Sequence, residues 1–348
     1  SVTGTITGNG TDMGGLVGMN DQAPGYGPAM IINASFAGSV TGGSSYGTSI
    51  GGLAGMNQGA ISSAYATGIV SASNSSSRYA GGLVGFNNGT ITNAYASGAV
   101  TSGDFVGGLV GSNRSLNSHT GQITNAYATG AVTGSTNVGQ IAGQNTTTIT
   151  NAYFDTDTSS ATPGVGTGSS SGITGLTTVQ LAGALPAAFN SAIWGNLNNQ
   201  TTPYLLGVSA NQQVHFGTGA PFPTTTPVWL IFTPAGLQNV NASSSASYAL
   251  ANSLDLSGIS NFRPLAVSGF TGTFDGRGNT ISNLTINDST DRNVGLFGQL
   301  AQTGVVRNIA LLGGSVTSNG SGALVGSLVG YNSGSITNAY ATGSVSAA

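Results

Sequence analysis

Small and apolar residues recur along this chain in blocks whose period is much longer than that of a helix or a strand. One block, residues 81–100, reads Gly-Gly-Leu-Val-Gly-Phe-Asn-Asn-Gly-Thr-Ile-Thr-Asn-Ala-Tyr-Ala-Ser-Gly-Ala-Val. Similar blocks begin at Gly51, Gly107 and Gly326, and two degenerate ones begin at Gly14 and Val138. Internal repeats with a period of roughly 20–50 residues indicate a solenoid, a propeller or an array.

Each block contains short apolar and polar runs separated by Asn-Gly or Ser-Gly turn signals. Tyr65, Tyr95, Tyr127 and Tyr153 follow one another at intervals of 30, 32 and 26 residues. Turns this frequent leave no room for long hairpins, whereas three short strands fit one coil of a parallel β-helix. We therefore predict an all-β solenoid in which equivalent strands of successive coils stack about 4.8 Å apart.

The repeat places identical side chains above one another, and these columns are the predicted core and corners. The inward columns contain Leu16, Leu53, Leu83, Leu109 and Ile141, then Ile61, Ile91, Ile123 and Ile149, and finally Val70, Val100 and Val132. A corner column contains Asn20, Asn57, Asn87, Asn113 and Asn145, with Asn332 at the equivalent position of the last block. Asparagine tolerates tight turns, and stacked amides can form a hydrogen-bonded ladder.

The pattern divides the chain into four regions. Residues 1–158 form a first array, and residues 159–208 form an exit segment with an irregular loop and one short helix near residues 176–189. Residues 209–250 contain four prolines and are expected to be a linker or entry segment. Residues 251–348 restart the array and end on another block.

Composition narrows the function classes. Charged residues make up only 4% of the chain, and the net charge of −3 leaves no basic patch for nucleic acid. Cysteine is absent, which removes disulfides and thiol chemistry. No run approaches the roughly 20 apolar residues of a membrane-spanning helix. We expect no cofactor, no metal and no nucleic-acid partner.

A nucleophile motif occurs in the Gly-Thr-Ser-Ile-Gly of residues 47–51. This Gly-x-Ser-x-Gly pattern arises by chance in a chain so rich in glycine and serine, and it lacks the strand-turn-helix context of a nucleophile elbow. His119 and His215 are the two available bases, and neither has an evident orienting carboxylate. The sequence therefore predicts a protein that is not an enzyme.

Two acidic turns are candidate ligand sites. Asp155 and Asp157 carry oxygen ligands of the kind that Ca²⁺ prefers, but the Glu and Gly of a calcium loop are missing, so a plain turn is favoured. Asp275 and Arg277 similarly indicate a turn with a local ion pair, which contributes little at a surface.

The candidate functional residues are tyrosines at one position of the repeat: Tyr65, Tyr95, Tyr127, Tyr153 and Tyr340. Neighbours alternate across a strand, so Tyr95 points outward if Ala94 and Ala96 point inward. An exposed aromatic column would bind sugar rings or join two filaments side by side. Alternatively, the column is structural and lies partly under loops, where it supports the stacking of coils.

The motif Gly-Gly-Leu-Val-Gly, followed by Asn-Gly-x-Ile-x-Asn-Ala-Tyr-Ala-x-Gly, resembles the GLUG repeat of large bacterial surface proteins, the filamentous-haemagglutinin-type adhesins and related exoproteins. Residues 270–286 resemble the entry segment of such arrays, and residues 151–155, 175–178 and 194–205 resemble their exit segment. The resemblance covers most of the chain. It implies a right-handed parallel β-helix, a secreted or cell-surface location and an adhesive or matrix role.

Exit elements lie in the middle of the chain, and entry elements come after them. This order predicts that the second array continues onto residues 1–158 of a next repeat or subunit, so that the protein's partner is another copy of itself. The leading prediction is a non-catalytic protein that forms filaments at the cell surface or in a biofilm matrix. Such filaments could also bundle side by side. The alternative is a carbohydrate-binding or carbohydrate-active β-helix, and a flat threonine surface for ice is a weaker third candidate.

Overall fold

The computed structural model describes residues 2–21, 27, 29–42, 48–72, 79–158, 163–218 and 222–347. The chain is nearly all β and forms a parallel β-solenoid, as predicted. It divides into two compact units. Unit 1 comprises residues 1–208 and 216–224, and unit 2 comprises residues 209–215 and 225–348.

Unit 1 is built from short strands and one α-helix. In chain order these are β1 (Thr5–Gly8), β2 (Asp12–Gly14), β3 (Val17–Asn20), β4 (Met30–Ile32), β5 (Ser35–Phe36), β6 (Ser39–Gly42), β7 (Ser49–Gly51), β8 (Ala54–Asn57), β9 (Ala60–Ala66), β10 (Val70–Ala72), β11 (Tyr79–Gly81), β12 (Val84–Asn87), β13 (Thr90–Ala96), β14 (Val100–Thr101), β15 (Val106–Gly107), β16 (Val110–Asn113), β17 (Ser115–Leu116), β18 (His119–Thr120), β19 (Gln122–Ala128), β20 (Val132–Thr133), β21 (Val138–Gly139), β22 (Ala142–Asn145), β23 (Thr148–Asp155), β24 (Val165–Gly168), β25 (Ile173–Leu176), α1 (Thr178–Leu181), β26 (Trp194–Gly195) and β27 (Tyr204–Leu205). A 3₁₀ turn covers Leu197–Asn199.

The strands of unit 1 stack into four parallel sheets. In the order in which each coil visits them, they are sheet A (β2-β7-β11-β15-β21), sheet B (β3-β8-β12-β16-β22-β24), sheet C (β4-β9-β13-β19-β23-β25, with β5 also beside β9) and sheet D (β1-β6-β10-β14-β20). A complete coil therefore has four strands rather than the three expected. The extra division lies at the Gly-Gly-Leu corner, where Gly52 and Leu53 separate β7 from β8.

Glycine is required at this corner because the backbones of neighbouring coils approach closely. A Cβ added to Gly52 would lie 2.1 Å from the carbonyl oxygen of Gly82, and one added to Gly82 would lie 2.1 Å from that of Gly108. Both contacts are with backbone atoms, which cannot move aside without separating the coils. The repeated Gly-Gly of the sequence is thus a packing requirement of the stack.

The predicted inward columns form the core of unit 1. The Leu53 amide donates to the Leu83 carbonyl at 2.8 Å, and the Leu83 amide donates to the Leu109 carbonyl at 2.9 Å. In sheet C, Ile91 pairs in register with Ile61 and with Ile123. The members of all three columns between residues 50 and 132 are buried. Stacking of identical apolar residues is therefore the main source of cohesion.

In the repeat strands of sheet C, such as β13, one residue with positive φ interrupts the alternation of inward and outward side chains. Asn93 in β13 has φ of 52°, a conformation that asparagine adopts more readily than most residues. Ile91 before it and Ala94 after it both join the apolar core. Tyr95 is not part of that core, so the ring lies on the outer surface of the sheet, in the direction that the sequence predicts.

Unit 2 repeats the pattern after a different beginning. Its elements are β28 (Gln212–His215), β29 (Pro227–Ile231), α2 (Pro234–Gln238), β30 (Ser247–Leu250), β31 (Leu254–Asp255), β32 (Thr273–Asp275), β33 (Thr280–Ser282), β34 (Thr285–Asn287), β35 (Asn293–Val294), β36 (Phe297–Leu300), β37 (Val305–Leu312), β38 (Ser315–Ser318), β39 (Leu324–Val325), β40 (Val329–Asn332), β41 (Ser335–Ala341) and β42 (Ser344–Ala347). A 3₁₀ turn covers Asn239–Ala242.

The last coils of unit 2 have sheets equivalent in sequence to those of unit 1. They are A′ (β35-β39), B′ (β36-β40), C′ (β37-β41) and D′ (β34-β38-β42), and the coil visits them in the same order. Its core is more aromatic, with Phe270, Phe274 and Phe297 buried together. The larger phenylalanine side chains fill more of the core than the alanines of unit 1 do.

Helices are few and short, and their caps explain where they form. The predicted helix near residues 176–189 is α1, which begins with a capping box in which Thr177 and Gln180 bond each other's backbone amides. The second helix, α2, was not predicted. Its signal is Thr233 as N-cap followed by Pro234 at the first position, a combination obscured by the expectation of a linker.

Candidate functional site

The tyrosine column of sheet C is a stack of parallel rings. The ring centroids of Tyr65 and Tyr95 are 4.8 Å apart with planes at 8°, and those of Tyr95 and Tyr127 are 4.9 Å apart at 4°. The spacing equals the distance between neighbouring strands, because the strands bearing the rings pair in register. The geometry follows directly from the repeat.

The exit segment covers this column. Trp194 lies with its ring centroid 5.8 Å from that of Tyr127 and 6.3 Å from that of Tyr95, and it stacks on Phe189 at 4.4 Å. Trp194 Nε1 donates to Asn93 Oδ1 at 3.2 Å, and Tyr127 Oη donates to the Pro203 carbonyl. The antiparallel pair β26–β27 holds Trp194 in place.

The three rings are consequently inaccessible. Tyr65 and Tyr95 are 0% exposed and Tyr127 is 1% exposed. The expectation that they form an exposed ligand or lateral-contact surface is wrong, because outward direction from the coil does not ensure exposure once another segment packs on the sheet. The alternative, a structural column beneath a covering segment, describes these three residues.

Burial also changes their chemistry. Desolvation of the phenolate raises the pKa of Tyr65, Tyr95 and Tyr127 above the usual value of 10.0. For Tyr95, repulsion from the neighbouring phenolates adds to the effect. The column is therefore a set of neutral hydrogen-bonding rings at physiological pH.

The two remaining tyrosines are less buried than these three. Tyr153 is partly buried, with its ring 5.5 Å from that of Phe189. Tyr340 in β41 is 60% exposed. The structure therefore leaves Tyr340 as the predicted site residue that is freely accessible to a ligand.

The corner asparagines of sheet B form a directed ladder. The Nδ2 of each asparagine donates to the Oδ1 of the asparagine in the next coil, in the order Asn20, Asn57, Asn87, Asn113 and Asn145, at 2.8 to 2.9 Å. The inner rungs are buried. Every donor points toward the C-terminal end of the array, so the ladder has a polarity. Asn332 occupies the equivalent place in β40 and is exposed.

Sheet C contains a second ladder with the opposite polarity, which sequence reasoning missed. Asn151 Nδ2 donates to Asn125 Oδ1 at 3.0 Å, and Asn125 Nδ2 donates to Asn93 Oδ1 at 3.5 Å. In unit 2, Asn338 Nδ2 donates to Asn308 Oδ1 at 3.1 Å. The available signal was the asparagine that recurs two residues after the core isoleucine and adopts positive φ.

The last coil of unit 2 is open on its outer side. Ile336 and Val345 occupy inward positions, yet they are 37% and 46% exposed, whereas their counterparts Ile91 and Val100 are fully buried. Tyr331, in the same coil, is also exposed.

The first coil of unit 1 is likewise open on one side, where Ile6 of β1 is exposed. Met30 and Ile32 are exposed as well, but they occupy outward positions of sheet C, where β13 has Thr90 and Thr92. The strands of the two open coils carry one carboxylate, Asp12, and no Arg, Lys or His. Both surfaces thus combine exposed apolar side chains with very little charge.

The acidic turns are structural. Asp155 is fully buried, and its carboxylate accepts hydrogen bonds from the Asp157 amide at 2.9 Å and from Thr178 Oγ1 at 2.6 Å. Asp157 in turn accepts from the Thr178 amide at 2.9 Å. Together they attach the start of α1 to the array, so the turn interpretation fits this geometry.

Asp275 forms an ion pair with a residue of the next coil. Its carboxylate lies 2.8 Å from Arg307 Nε, in the next coil, and is fully buried. It also accepts from the Arg277 amide at 2.8 Å and from Asn308 Nδ2 at 3.1 Å. The bond from the Arg277 amide fits the predicted turn, and the stacked coil brings Arg307 directly beside Asp275.

The remaining catalytic candidates lie in separate settings. Ser49 is buried in β7, while residue 47 of the motif lies outside the described residues. His119 is in the small hairpin β17–β18, and His215 is in β28. Within the described ranges, no three His, Cys, Asp or Glu side chains cluster closely enough to hold a metal ion. No helix in that part of the chain is long and apolar enough to span a membrane.

Comparison with known proteins supports the repeat assignment. Residues 76–101 and 321–346 match the family model of the GLUG motif. The chain is 39% identical over 127 residues to Halomucin of Haloquadratum walsbyi, which covers 32% of this chain and 1% of Halomucin. It is 35% identical over 119 residues to a protein named Gly-rich membrane protein of Evansella cellulosilytica, which covers 32% of this chain and 14% of that protein.

The predicted GLUG repeat is thus confirmed in two copies. This chain spans only a small fraction of the length of both relatives, so the similarity concerns the repeat region rather than the whole proteins. No solved structure is similar at a significant level.

Proposed function

We propose that this protein is a structural, non-catalytic component of a cell surface or extracellular matrix, and that it assembles end to end into rods. The observation that supports this function best is the in-register stack itself, whose apolar columns and asparagine ladder repeat from coil to coil. A stack of this kind can be extended by any coil with the same repeat.

The free energy of forming such a junction is expected to be negative. Each apolar side chain that is buried contributes roughly 25 cal/mol per Å² of apolar surface removed from water. Strand edges at the junction would also pair with another strand instead of with water. Because only Asp12 is charged in these strands, neither electrostatic attraction nor repulsion would dominate, and assembly should depend weakly on salt.

The relatives are consistent with a surface location. The GLUG motif and the names Halomucin and Gly-rich membrane protein support a repeat protein of cell surfaces. An adhesive role of the filamentous-haemagglutinin type, secretion from a bacterium, and a place in a biofilm matrix are finer proposals. The low charge supports them, because neighbouring rods would repel one another little and could bundle laterally.

Sedimentation velocity over a range of concentrations, with negative-stain electron microscopy of the same samples, tests the proposal. We expect rods whose length grows with protein concentration and whose width stays that of one solenoid. A monomer that persists at millimolar concentration, or activity on a polysaccharide, would contradict it.

Carbohydrate binding is the second candidate, and the exposed ring of Tyr340 favours it. A flat aromatic ring offers its apolar face to a sugar. Binding of the wild type and of Tyr340→Ser to a panel of polysaccharides would test this function. Tyr95→Ser is not a suitable control, because the ring of Tyr95 is buried and its loss would disturb the fold. Equal retention of wild type and Tyr340→Ser would count against it.

A further inference from the structure

One coil of unit 2 bulges outward between two points at which it is fixed to the next coil. Leu265 forms an isolated parallel bridge with Phe297, and Phe270 forms another with Leu300. Four residues lie between the two bridges in the first coil and two lie between them in the next, so the first coil has two extra residues. We call residues 266–269 the bulge. Bulges re-aim side chains and are over-represented next to functional sites.

Side-chain amides of the preceding coil hold the bulge in one shape. Asn241 Oδ1 accepts from the Ala266 amide at 2.6 Å, and Asn241 Nδ2 donates to the Pro264 carbonyl at 3.4 Å. Gln238 bonds both backbone groups of Arg263, at 3.0 and 3.3 Å. Ala266 is kept at φ of 47°, a left-handed conformation that is costly for a residue with a Cβ. Strained residues held by their surroundings cluster at ligand-binding sites.

A cavity of about 300 Å³ opens beside the bulge. The bulge contributes residues 266–269 to its lining, and the segment after α2 contributes Asn241 and Ser244. The volume is at the lower end of the range of about 300–1,000 Å³ that ligand pockets occupy. The cavity therefore suits one ring-sized unit rather than an extended molecule.

The lining combines one charged residue with hydroxyl and apolar groups. Arg263 is the charged residue, Ser244 and Ser268 supply hydroxyls, and Pro264 and Val267 supply apolar surface. The planar fork of an arginine binds a carboxylate through two parallel hydrogen bonds. Hydroxyls beside apolar surface suit a sugar ring, which has polar edges and apolar faces. A ligand that matches all three kinds of group is a hydroxylated ring with a carboxylate.

The guanidinium of Arg263 is available to such a ligand. Arg263 is exposed, and within the described residues its guanidinium has no hydrogen-bond or ion-pair partner. Asp291 lies near enough for its charge to interact with that of Arg263, although the two form no ion pair in the part of the chain that the structure describes. Because this carboxylate weakens the attraction for an anion, the ring hydroxyls must contribute to binding as well.

We propose that this cavity binds one acidic sugar unit, a uronic acid within a polysaccharide. Arg263 holds the carboxylate of that unit, and Ser244 and Ser268 contact its ring hydroxyls. The cavity is open to solvent on one side, so the neighbouring units of the polysaccharide extend away from the protein. The site gives a chain with a net charge of −3 a specific contact with an anionic polymer. It depends neither on end-to-end assembly nor on Tyr340.

Isothermal titration calorimetry of the full chain with the trimer of galacturonic acid tests the site. The methyl ester of the same trimer is the matched ligand, because it keeps the sugar rings and removes their charge. We expect the wild type to bind the acid at least tenfold more tightly than the ester. Equal affinities would overturn the role of the carboxylate. Acetate should compete poorly, and acetate that displaces the trimer at equal concentration would overturn the sugar assignment.

Two arginine variants test where the carboxylate binds. Arg263→Gln removes the charge from the cavity and should weaken binding of the trimer at least tenfold. Arg292→Gln is the matched control, because Arg292 is an exposed arginine of the same unit that does not line the cavity. It should bind like the wild type. Equal losses in both variants, or no loss in Arg263→Gln, would overturn the site.

A third variant separates the cavity from its charge. Ser268→Trp fills the cavity and keeps Arg263, and its fold should tolerate the change because Ser268 is exposed. Thermal unfolding at the wild-type temperature would verify the fold. Binding of the trimer should fall at least tenfold in this variant. A folded Ser268→Trp that binds like the wild type would show that the sugar lies elsewhere.

The outcomes also separate this site from the proposed assembly. A wild-type chain that binds the trimer but stays monomeric contradicts only the end-to-end assembly. A wild-type chain that forms rods but does not bind the trimer contradicts only the acidic-sugar site.

Discussion

The same strand sequence has two different fates in this molecule. β13 and β41 both contain Ile-Thr-Asn-Ala-Tyr-Ala, and both turn the tyrosine away from the coil interior. In unit 1 the ring of Tyr95 is fully buried beneath Trp194, whereas in unit 2 the ring of Tyr340 is 60% exposed. Local sequence determines the direction of the ring, and a distant segment determines whether it meets solvent.

The covering segment is far in sequence from the tyrosine column, and its structure differs from that of the repeat coils. Trp194 and Asn93, which share a hydrogen bond, are 101 residues apart. Unit 1 thus combines two sources of stability, the stack of coils and a cover over its tyrosine column. The last coil of unit 2 has only the stack, on one side, and this difference leads to predictions that would separate the two contributions.

Removing the cover should have the largest effect. We expect Trp194→Ala to destabilise unit 1 by about 3–5 kcal/mol, the usual cost of truncating a buried large aromatic residue. Urea unfolding followed by hydrogen exchange of β13 and β19 would measure it. Unit 2 should be unaffected, and Trp229, the other tryptophan, would report on it in the same variant. Equal destabilisation of both units would break the comparison.

The second largest difference between the two units is expected in their stability at high pH. Burial raises the pKa of Tyr65, Tyr95 and Tyr127 in the folded state above the 10.0 of the unfolded chain. Their contribution is therefore complete below pH 10 and is lost as pH rises further, by at most about 4 kcal/mol per pH unit for three groups. In unit 2, burial raises the pKa of Tyr248 to about 12, a single group.

Unfolding of each unit between pH 8 and 12, followed by hydrogen exchange, would check this order. Unit 1 should lose stability first above pH 10. The triple variant in which phenylalanine replaces the three buried tyrosines is the control, and it should show a flatter dependence on pH. A steep loss in that variant would point to another cause.

A smaller contrast is expected between an inner and an outer rung of the sheet B ladder. Asn87→Ala removes a fully buried amide and leaves Asn57 Nδ2 and Asn113 Oδ1 each without a ladder partner, at a cost of about 2–3 kcal/mol. Asn332→Ala, on the open coil, should change the stability of the monomer by less than about 0.5 kcal/mol. Thermal unfolding of both variants at low concentration would compare them, and similar losses would refute the contrast.

The smallest effect is expected at the uncovered ring. Tyr340→Ser should leave the stability of the monomer within about 0.5 kcal/mol of the wild type, because a ring that is mostly exposed gains little from folding. Chemical denaturation of the variant would measure this difference. A loss comparable to that of Trp194→Ala would mean that Tyr340 is covered in solution.

Much of the fold was predictable because each coil repeats the previous one. The columns of Leu53, Leu83 and Leu109 and the asparagine ladder follow from residue spacing and alternation. Such predictions need only local geometry and the distance between stacked strands. The sequence predicted three strands per coil and missed the fourth, because the division between β7 and β8 spans only Gly52 and Leu53.

The parts that were missed depend on contacts between segments distant in sequence. Nothing around Tyr95 shows that Trp194 will cover it, and nothing around Asp275 shows that Arg307 will pair with it. Both contacts arise only once the coils have stacked and the exit segment has folded back. The accessibility of a candidate site residue in a solenoid is therefore the property least visible in its repeat.

The most direct test of the central claim is a cryo-electron microscopy map of the assembled protein at the junction between two copies. The account predicts uninterrupted strand spacing of about 4.8 Å across the junction. A map in which the open coils face solvent, while the copies touch only along their sides, would contradict it.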